Sequence, residues 1–224
     1  MAAKGDKNEK SLVWIKVKSA VDLARAACTF DTYSKDLIAT KRDGKDVLCL
    51  IGEDLNSSTI AYYVEEEHKE SMAIYIAGPE GEEVSFSNTN EERLNATYIN
   101  ILPIESLPFN TSSKEDSILQ IKVLKAESLI RSIIKKAVQK EEIESAYIFE
   151  FKNKTYIGAF DVIYELTDSK KTCYYSEIPN YEESGFIRYN YSKGAFEFAK
   201  NFGEHSYLYI KLINLEQPFP FFKG

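Results

Sequence analysis

The stretch SLVWIKVKSAVDLAR at residues 11–25 recurs 106 residues later as SILQIKVLKAESLIR at residues 117–131. The two copies carry the same Ser, Ile, Lys, Val, Ala, Leu and Arg at equivalent positions. In each copy an apolar, β-branched run favours a strand, and the run that follows it favours a helix. A strand and a helix that occur twice predict two copies of one fold within the chain.

The middle and the end of the two halves also match. YINIL (98–102) precedes a Leu-Pro-Phe segment, and YIKLI (209–213) precedes Gln-Pro-Phe. Between these ends, TKRDGKDVLCLIG (40–52) lies opposite EFKNKTYIGAF (150–160), and each has two extended runs around a polar turn. Asp43-Gly44 in the first turn is a strong signal for a β-hairpin. Because start, middle and end agree in order, we interpret the chain as a tandem duplication.

The domain organisation follows from this duplication. We expect a flexible N-terminus at residues 1–10, a first domain at 11–104, a connector at 105–116 and a second domain at 117–224. The connector, ESLPFNTSSKED, is polar and contains Pro and Ser, which is typical of a linking segment. Each domain is predicted to be mostly antiparallel sheet with helices on one face, which is an α+β fold.

Periodicity predicts the elements of each half. In the first half we expect a helix at 19–27 with Ser19 as its cap, and residues 78–95 have room for a second helix. The strands of that half are predicted at 12–17, 59–64, 72–77 and 97–102, besides the hairpin. In the second half, strands are predicted at 118–123, 146–151, 155–164, 171–176, 185–190 and 206–213, with helices at 125–139 and 192–201.

Composition predicts a globular, intracellular protein. The 224 residues are 44% hydrophobic and carry a net charge of −7, so the chain has enough apolar material for a core. No apolar run reaches the roughly 18 residues of a membrane span, and the charged N-terminus lacks an apolar signal segment. Cys28, Cys49 and Cys173 form no Cys-x-x-Cys pair, so we expect reduced thiols. His68 and His205 have no nucleophile at a recognisable spacing, and no metal or cofactor is predicted.

The segment KAESLIRSIIKKAVQK (125–140) is the most informative helix. On a helical projection its apolar residues form one side, and the opposite arc is polar with three cations and no acid. This polar arc consists of Ser128, Arg131, Ser132, Lys135, Lys136 and Gln139. In an acidic chain, such an arc is either a solvated helix face or a surface that faces phosphates.

Two similar α+β halves, a polar connector with a Leu-Pro-Phe segment, basic helices and an acidic total resemble the DNA sliding clamps, PCNA and its phage counterparts. The second half carries most of the resemblance, from KAESLIRSIIKKAV through AYIFEF and KTYIGAFDVIYEL to SYLYIKLIN. The resemblance implies a homotrimeric ring of six similar domains that is closed by pairing of edge strands. It also implies a DNA-associated processivity factor, not an enzyme, that encircles duplex DNA without reading its sequence. Such a ring tethers DNA polymerase and other clients and depends on a separate clamp loader.

The resemblance assigns two sets of site residues. Cations on the helices would line the pore and attract the phosphate backbone. The predicted pore residues are Arg25, Lys125, Arg131, Lys135, Lys136, Lys193 and Lys200. Client peptides would bind beside the connector and the C-terminus, at Leu107, Pro108, Phe109, Pro218 and Phe219. Packing at the junction of two domains explains these apolar residues equally well.

Two other functions stay open. Glu150-Phe151-Lys152 is the acid-x-Lys triplet with which metal-dependent nucleases hold Mg²⁺ and polarise water. It also fits ordinary strand alternation, and a helix rather than an acid-bearing strand precedes it. The other alternative is a protein-interaction scaffold with a duplicated domain and no role on DNA. In the tail QPFPFFKG (217–224), the spacing between Gln217 and Phe221-Phe222 is too short to match a clamp-docking peptide. We therefore expect the tail to be exposed or packed on its own chain.

Overall fold

The computed structural model describes residues 12–29, 36–53, 59–65, 71–78, 83–88, 96–107, 118–139, 145–163, 171–203 and 207–224. The first half contains β1 (Val13–Lys16), α1 (Ala20–Thr29), β2 (Leu37–Arg42), β3 (Lys45–Glu53), β4 (Thr59–Glu65), β5 (Ala73–Ala77), β6 (Glu83–Ser87) and β7 (Ala96–Pro103). The second half contains β8 (Leu119–Lys122), α2 (Ala126–Val138), β9 (Ser145–Phe151), β10 (Lys154–Phe160), β11 (Thr172–Glu177), β12 (Phe186–Asn190), β13 (Ala195–Ala199) and β14 (Tyr207–Asn214). No helix in these described ranges is long and apolar enough to cross a membrane.

Each half forms one seven-stranded mixed sheet, and the two sheets have the same strand order. Sheet 1 runs β1-β4-β3-β2-β7-β5-β6, and sheet 2 runs β8-β11-β10-β9-β14-β12-β13. The sense of pairing also agrees at every step. The pairs β1–β4 and β2–β7 are parallel, as are β8–β11 and β9–β14, and all other neighbours are antiparallel. The chain is therefore an α+β protein with two similar domains.

The hairpin predicted at Asp43-Gly44 is confirmed, and Lys152-Asn153 forms its counterpart in the second half. Both residues of each turn have positive φ angles, 50° and 79° in the first turn and 49° and 61° in the second. Two positive φ angles in a two-residue loop define a type I′ turn, whose twist matches that of antiparallel strands. The two halves thus share their turn geometry although only the first turn carries glycine.

The helix predicted at 192–201 is wrong, because Ala195–Ala199 form strand β13 and pair with β12. Gly194 has a φ of 58° and ends the turn between the two strands, which a helix would not permit. Phe196 and Phe198 are half-buried and alternate with the exposed residues Ala195 and Glu197. This two-residue period is that of a strand.

Part of the segment 78–95, which could have contained a second helix, forms strand β6. Glu83–Ser87 reads EVSFS, pairs with β5, and alternates polar and apolar side chains. Residues 79–82 and 89–95 lie outside the described part of the chain.

Helix α1 packs on one face of sheet 1. Ser19 caps the helix as predicted, because its Oγ accepts a hydrogen bond from Asp22 N at 3.2 Å and donates one to Asp22 Oδ2 at 2.8 Å. The apolar side of α1 shares a core with side chains of β2, β3, β4, β5 and β7. This side consists of Ala20, Leu23, Ala24 and Ala27.

Helix α2, which packs on one face of its own sheet 2, also lies against the face of sheet 1 opposite to α1. Leu37 and Ile101 belong to the core of α1, whereas their neighbours Ile38 and Leu102 belong to the core of α2, because successive strand residues point to opposite faces. The apolar side of α2, which is Leu129, Ile130, Ile133 and Ile134, shares that second core with side chains of sheet 2. Sheet 1 therefore has α1 on one face and the second half of the chain on the other.

Candidate interaction surfaces

The polar arc of α2 packs against the first half and does not face solvent. Ser128, Ser132 and Lys136 are at most 3% exposed, and β7 is the strand of sheet 1 that α2 contacts. A polar arc can be buried in this way when hydrogen bonds and ion pairs replace its contacts with water. Arg131, Lys135 and Lys136 thus contact their own chain and are largely shielded, and their predicted role in binding DNA stays a prediction.

Lys135 and Ser132 bind the same carboxylate of the first half. Lys135 Nζ lies 2.6 Å from Asp36 Oδ1, and Ser132 Oγ donates to Asp36 Oδ2 at 2.5 Å. The Asp36 side chain is 7% exposed and that of Lys135 is 24% exposed. Asn100 on β7 donates hydrogen bonds from Nδ2 to Ser132 Oγ at 2.9 Å and to Ser128 O at 3.2 Å. These bonds hold α2 to sheet 1 by its polar side.

Arg131 is enclosed by aromatic rings from both halves. Its guanidinium carbon lies 5.7 Å from the centroid of the Tyr98 ring and 5.5 Å from that of Phe196, within the range of cation–π attraction. Arg131 also donates to Gly194 O at 3.2 Å and pairs with Glu127 at 3.4 Å. Burial raises the pKa of Tyr98, and the nearby Arg131 charge opposes this rise.

Lys136 is the most deeply buried cation of the arc, at 3% exposure. Its Nζ donates to the main-chain oxygen of Asp161. Asp161 has a positive φ of 50°, and its carboxylate accepts a hydrogen bond from Thr172 N at 2.8 Å. Lys136 thus binds the backbone at the end of β10, because a buried ammonium needs such acceptors.

The remaining predicted pore cations lie on separate elements. Arg25 is exposed on α1, and Lys125 directly precedes α2. Lys193 is exposed in the turn between β12 and β13, where its backbone N donates to Asn190 Oδ1 at 3.1 Å. Lys200 is exposed just after β13. The helical positions expected for Lys193 and Lys200 are wrong, because this segment is a hairpin.

The predicted client-binding residues are only partly described. Leu107 is half-buried and packs against the core that contains α2, whereas Pro108 and Phe109 lie outside the described residues. Pro218 and Phe219 lie in the C-terminal tail, residues 217–224, which packs on its own chain. Of the two alternatives for the tail, the self-packed one is therefore the observed one.

The tail covers part of the face of sheet 2 that points away from α2. Phe219 and Phe222 contact the aromatic platform, a set of rings on β9, β10 and β11. The platform consists of Tyr147, Phe149, Phe151, Tyr156, Phe160 and Tyr175. The Phe222 ring centroid lies 4.8 Å from those of Phe149 and Tyr175, edge to face, which is a favourable geometry for aromatic pairs.

A side-chain amide holds the tail backbone in place. Gln120 Nε2 donates to Phe221 O at 2.6 Å, and Gln120 Oε1 accepts from Lys223 N at 3.2 Å. Gly158 leaves the room that Phe219 needs, because a Cβ there would lie 3.4 Å from the Phe219 ring and 3.3 Å from that of Phe149.

The face of β14 next to the tail is a surface that sequence analysis did not identify. Tyr209, Lys211 and Ile213 alternate along one side of β14, and Lys211 is exposed. The ring of Phe202 lies 4.4 Å from that of Tyr209 and is 62% exposed. We call these four residues the β14 face. The match between YINIL and YIKLI was the signal that could have located it, because it aligns this face with the part of β7 that α2 contacts.

The acid-x-Lys triplet does not form a recognisable metal site in the described residues. Glu150 is exposed on β9, and Lys152 lies in the turn that follows, with its Nζ 4.7 Å from the Phe151 ring centroid. The part of the chain that the structure describes contains no group of three His, Cys, Asp or Glu residues that could hold a metal ion. The role of the triplet in a nuclease stays a prediction.

Comparison of the chain with family models, with curated proteins and with solved structures found no match.

Proposed function

We propose that the chain is an assembly protein, whose two similar halves present sheet edges and sheet faces to other protein chains. The observation that carries this proposal is the identical strand order and pairing sense of sheets 1 and 2. A duplicated fold repeats each of its surfaces, so a contact that one half makes within the chain is offered again by the other half. Where such repeated surfaces join chains head to tail, the assembly closes into a ring or continues as a filament.

The edges of sheet 1 support the proposal. Strand β1 stands at the end of the sheet and pairs only with β4 in the described residues. Val13 and Ile15 on β1 are 42% and 38% exposed, although β-branched side chains are more often buried. An edge strand with unpaired backbone groups and exposed apolar side chains can add a strand of another chain.

The test is the mass of the full chain by light scattering behind a sizing column, over a wide range of concentrations. We expect the mass to rise with concentration above the 25.6 kDa of one chain. Lys16→Pro, which removes a backbone donor that points away from β4, is compared with Lys16→Thr, which keeps that donor, and only the proline should weaken association. A chain that stays monomeric at the highest concentration and binds no other protein would contradict the proposal.

The DNA sliding clamp is the specific form of assembly that the sequence resemblance favours. Two similar halves per chain are what a ring of six domains requires in a homotrimer, with duplex DNA in the hole and polymerase and clamp loader as partners. The packing of α2 changes which residues would serve DNA. Since Arg131, Lys135 and Lys136 contact their own chain, the phosphate-facing charge of such a ring would come from the exposed cations Lys193 and Lys200.

Topological binding separates a clamp from an ordinary DNA-binding protein. A ring can thread onto a linear duplex with free ends, so blocking both ends afterwards with streptavidin should trap it against high salt. Electrostatic binding alone is lost in high salt whether or not the ends are blocked. We expect Lys193→Glu with Lys200→Glu to reduce trapping, and Lys171→Glu, another exposed lysine, to leave it unchanged. Absence of trapping in a preparation that associates would reject the clamp and retain the protein-interaction scaffold.

A further inference from the structure

The contact between α2 and sheet 1 is an internal template for a contact between chains. Within the chain, the polar side of α2 lies on β7, where Asn100 Nδ2 donates to the main-chain oxygen of Ser128 and to Ser132 Oγ, and Arg131 faces Tyr98. Because the chain is duplicated, α1 corresponds to α2 and β14 corresponds to β7. Between the described elements of a single chain, α1 makes no extensive contact with β14 of the kind that α2 makes with β7.

The register of the sheets fixes which residues correspond on the strands. Leu37 of β2 pairs with Ile101 of β7, and Ala146 of β9 pairs with Leu212 of β14. Aligning YINIL with YIKLI gives the same correspondence. Lys211 therefore takes the position of Asn100, and Tyr209 takes the position of Tyr98.

The 106-residue offset of the repeat fixes the correspondence on the helices. Asp22 takes the position of Ser128, and Arg25 takes the position of Arg131. Both Asp22 and Arg25 are exposed on the side of α1 that points away from sheet 1. In the equivalent contact, Asp22 of α1 would therefore meet Lys211 of β14. Arg25 of α1 would meet Tyr209.

We propose that α1 of a second copy of this chain docks on the β14 face, with Asp22 opposite Lys211 and Arg25 over the Tyr209 ring. The docked helix repeats the geometry of α2 on β7, with an ion pair in place of the Asn100 bonds. The inference rests on the proposed function, because it names the partner and the surfaces of that assembly.

The β14 face has the composition of an interface. Its exposed Phe202, half-buried Tyr209 and Ile213, and charged Lys211 combine an aromatic centre with a polar residue that can fix register. The tail's aromatic contacts are with the platform on β9, β10 and β11, whereas the Tyr209 ring lies against those of Phe186 and Phe202. The partner helix therefore has access to β14 while the tail stays in place.

The contact is head-to-tail, because the helix surface and the strand surface are different parts of the chain. Each copy offers α1 to one neighbour and β14 to another, so the assembly closes into a ring or continues as a filament. This arrangement differs from edge-strand pairing, which joins backbone groups rather than a helix and a sheet face.

A charge exchange in the full chain tests the proposal. Asp22→Lys and Lys211→Asp each place like charges opposite each other, and we expect each to weaken self-association at least about tenfold. The double variant restores the pair with its polarity exchanged and should associate like the unaltered chain. A mixture of the two single variants should also associate, because each supplies the surface that complements the other. Lys41→Asp, at an exposed lysine on β2, is the control for charge alone.

Association constants come from sedimentation equilibrium at low and at high salt, with thermal unfolding as the check on folding. Because Asp22 also bonds to Ser19, Asp22→Lys weakens the cap of α1, and the mixing experiment with folded single variants separates this effect from docking. Failure of both the double variant and the mixture to associate would overturn the proposal. If both single variants associate like the unaltered chain and Lys16→Pro does not, helix docking is overturned and the assembly function stands. A monomeric unaltered chain would overturn helix docking, and only a monomeric chain that also binds no other protein would reject the assembly function as well.

Discussion

Lys135 on α2 and Asp36 at the start of β2 form an ion pair across the boundary between the two halves, with Nζ 2.6 Å from Oδ1. Ser132, one turn earlier on α2, donates to the other oxygen of the same carboxylate at 2.5 Å. Two charge-assisted bonds to one shielded carboxylate are stronger than an exposed ion pair. This contact explains why α2 turns its polar side to sheet 1, and it makes the two halves depend on each other for stability.

Removing the carboxylate should therefore destabilise the whole chain. Asp36→Ala leaves Lys135 shielded without its partner, and we expect the free energy of unfolding to fall by about 3 kcal/mol. Urea unfolding measures this loss. The matched control is Lys154→Ala, which breaks an exposed ion pair to Glu177 at 2.6 Å and should cost at most about 1 kcal/mol. Equal losses in the two variants would show that the Asp36 contact is not a shielded one.

Lys136 should behave as a structural residue and not as an exposed cation. Lys136→Met keeps most of the side-chain volume but removes the donor to Asp161 O, and the lost bond to a charged group is worth about 1.5–3 kcal/mol. Charge reversal at Lys136 should be more damaging, because it places a carboxylate beside a carbonyl oxygen in a buried site. Thermal unfolding of Lys136→Met and of the exposed control Lys193→Met separates the two roles. Equal stability of both variants would assign Lys136 to the surface.

The local elements were predictable from the sequence because their patterns are short-range. The period of β7 and β14, the Asp43-Gly44 turn and the Ser19 cap each depend on residues a few positions apart. The repeat at 11–25 and 117–131 then indicated that the second half has the same fold as the first. The helix predicted at 192–201 conflicts with a short-range pattern of the same kind, because Gly194 followed by Phe196 and Phe198 at a two-residue spacing indicates a turn and a strand.

The surroundings of α2 were not predictable, because amphipathic periodicity shows that a helix has a polar side but not what covers that side. Asp36, Asn100 and Tyr98 come from segments about 30 to 100 residues away along the chain, and none of them has a pattern that indicates a partner on α2. The buried position of Lys136 depends on such distant contacts. A cationic arc in an acidic chain is therefore weak evidence for a nucleic-acid surface unless the fold leaves it uncovered.

The two type I′ turns should differ in stability for a simple backbone reason. Lys152 and Asn153 both have positive φ, which costs a lysine more than a glycine or an asparagine. Lys152→Asn with Asn153→Gly supplies the preferred residues of this turn, and we expect a gain of about 0.5–1 kcal/mol in the free energy of unfolding. Gly44→Ala in the first turn should cost about 1 kcal/mol, since a Cβ there meets no atom within 4 Å and only the backbone resists. No gain from the Asn-Gly pair would show that the second turn relaxes without strain.

The cysteine thiols should make the folded chain less stable in alkali. Burial raises the pKa of Cys49 and Cys173 to about 12, whereas an unfolded thiol ionises near pH 8.5. Because the folded state holds these protons longer, its stability is complete below pH 8.5 and falls as the pH rises toward 12, by about 1.4 kcal/mol per pH unit for each thiol. Urea unfolding of the unaltered chain and of Cys173→Ala between pH 8 and 10.5 measures the slope, which should be shallower in the variant.

The three thiols should also differ in their reaction with Ellman's reagent at pH 8, because half-buried Cys28 is accessible and should be modified before the two buried thiols. Equal rates for all three would contradict the burial of Cys49 and Cys173.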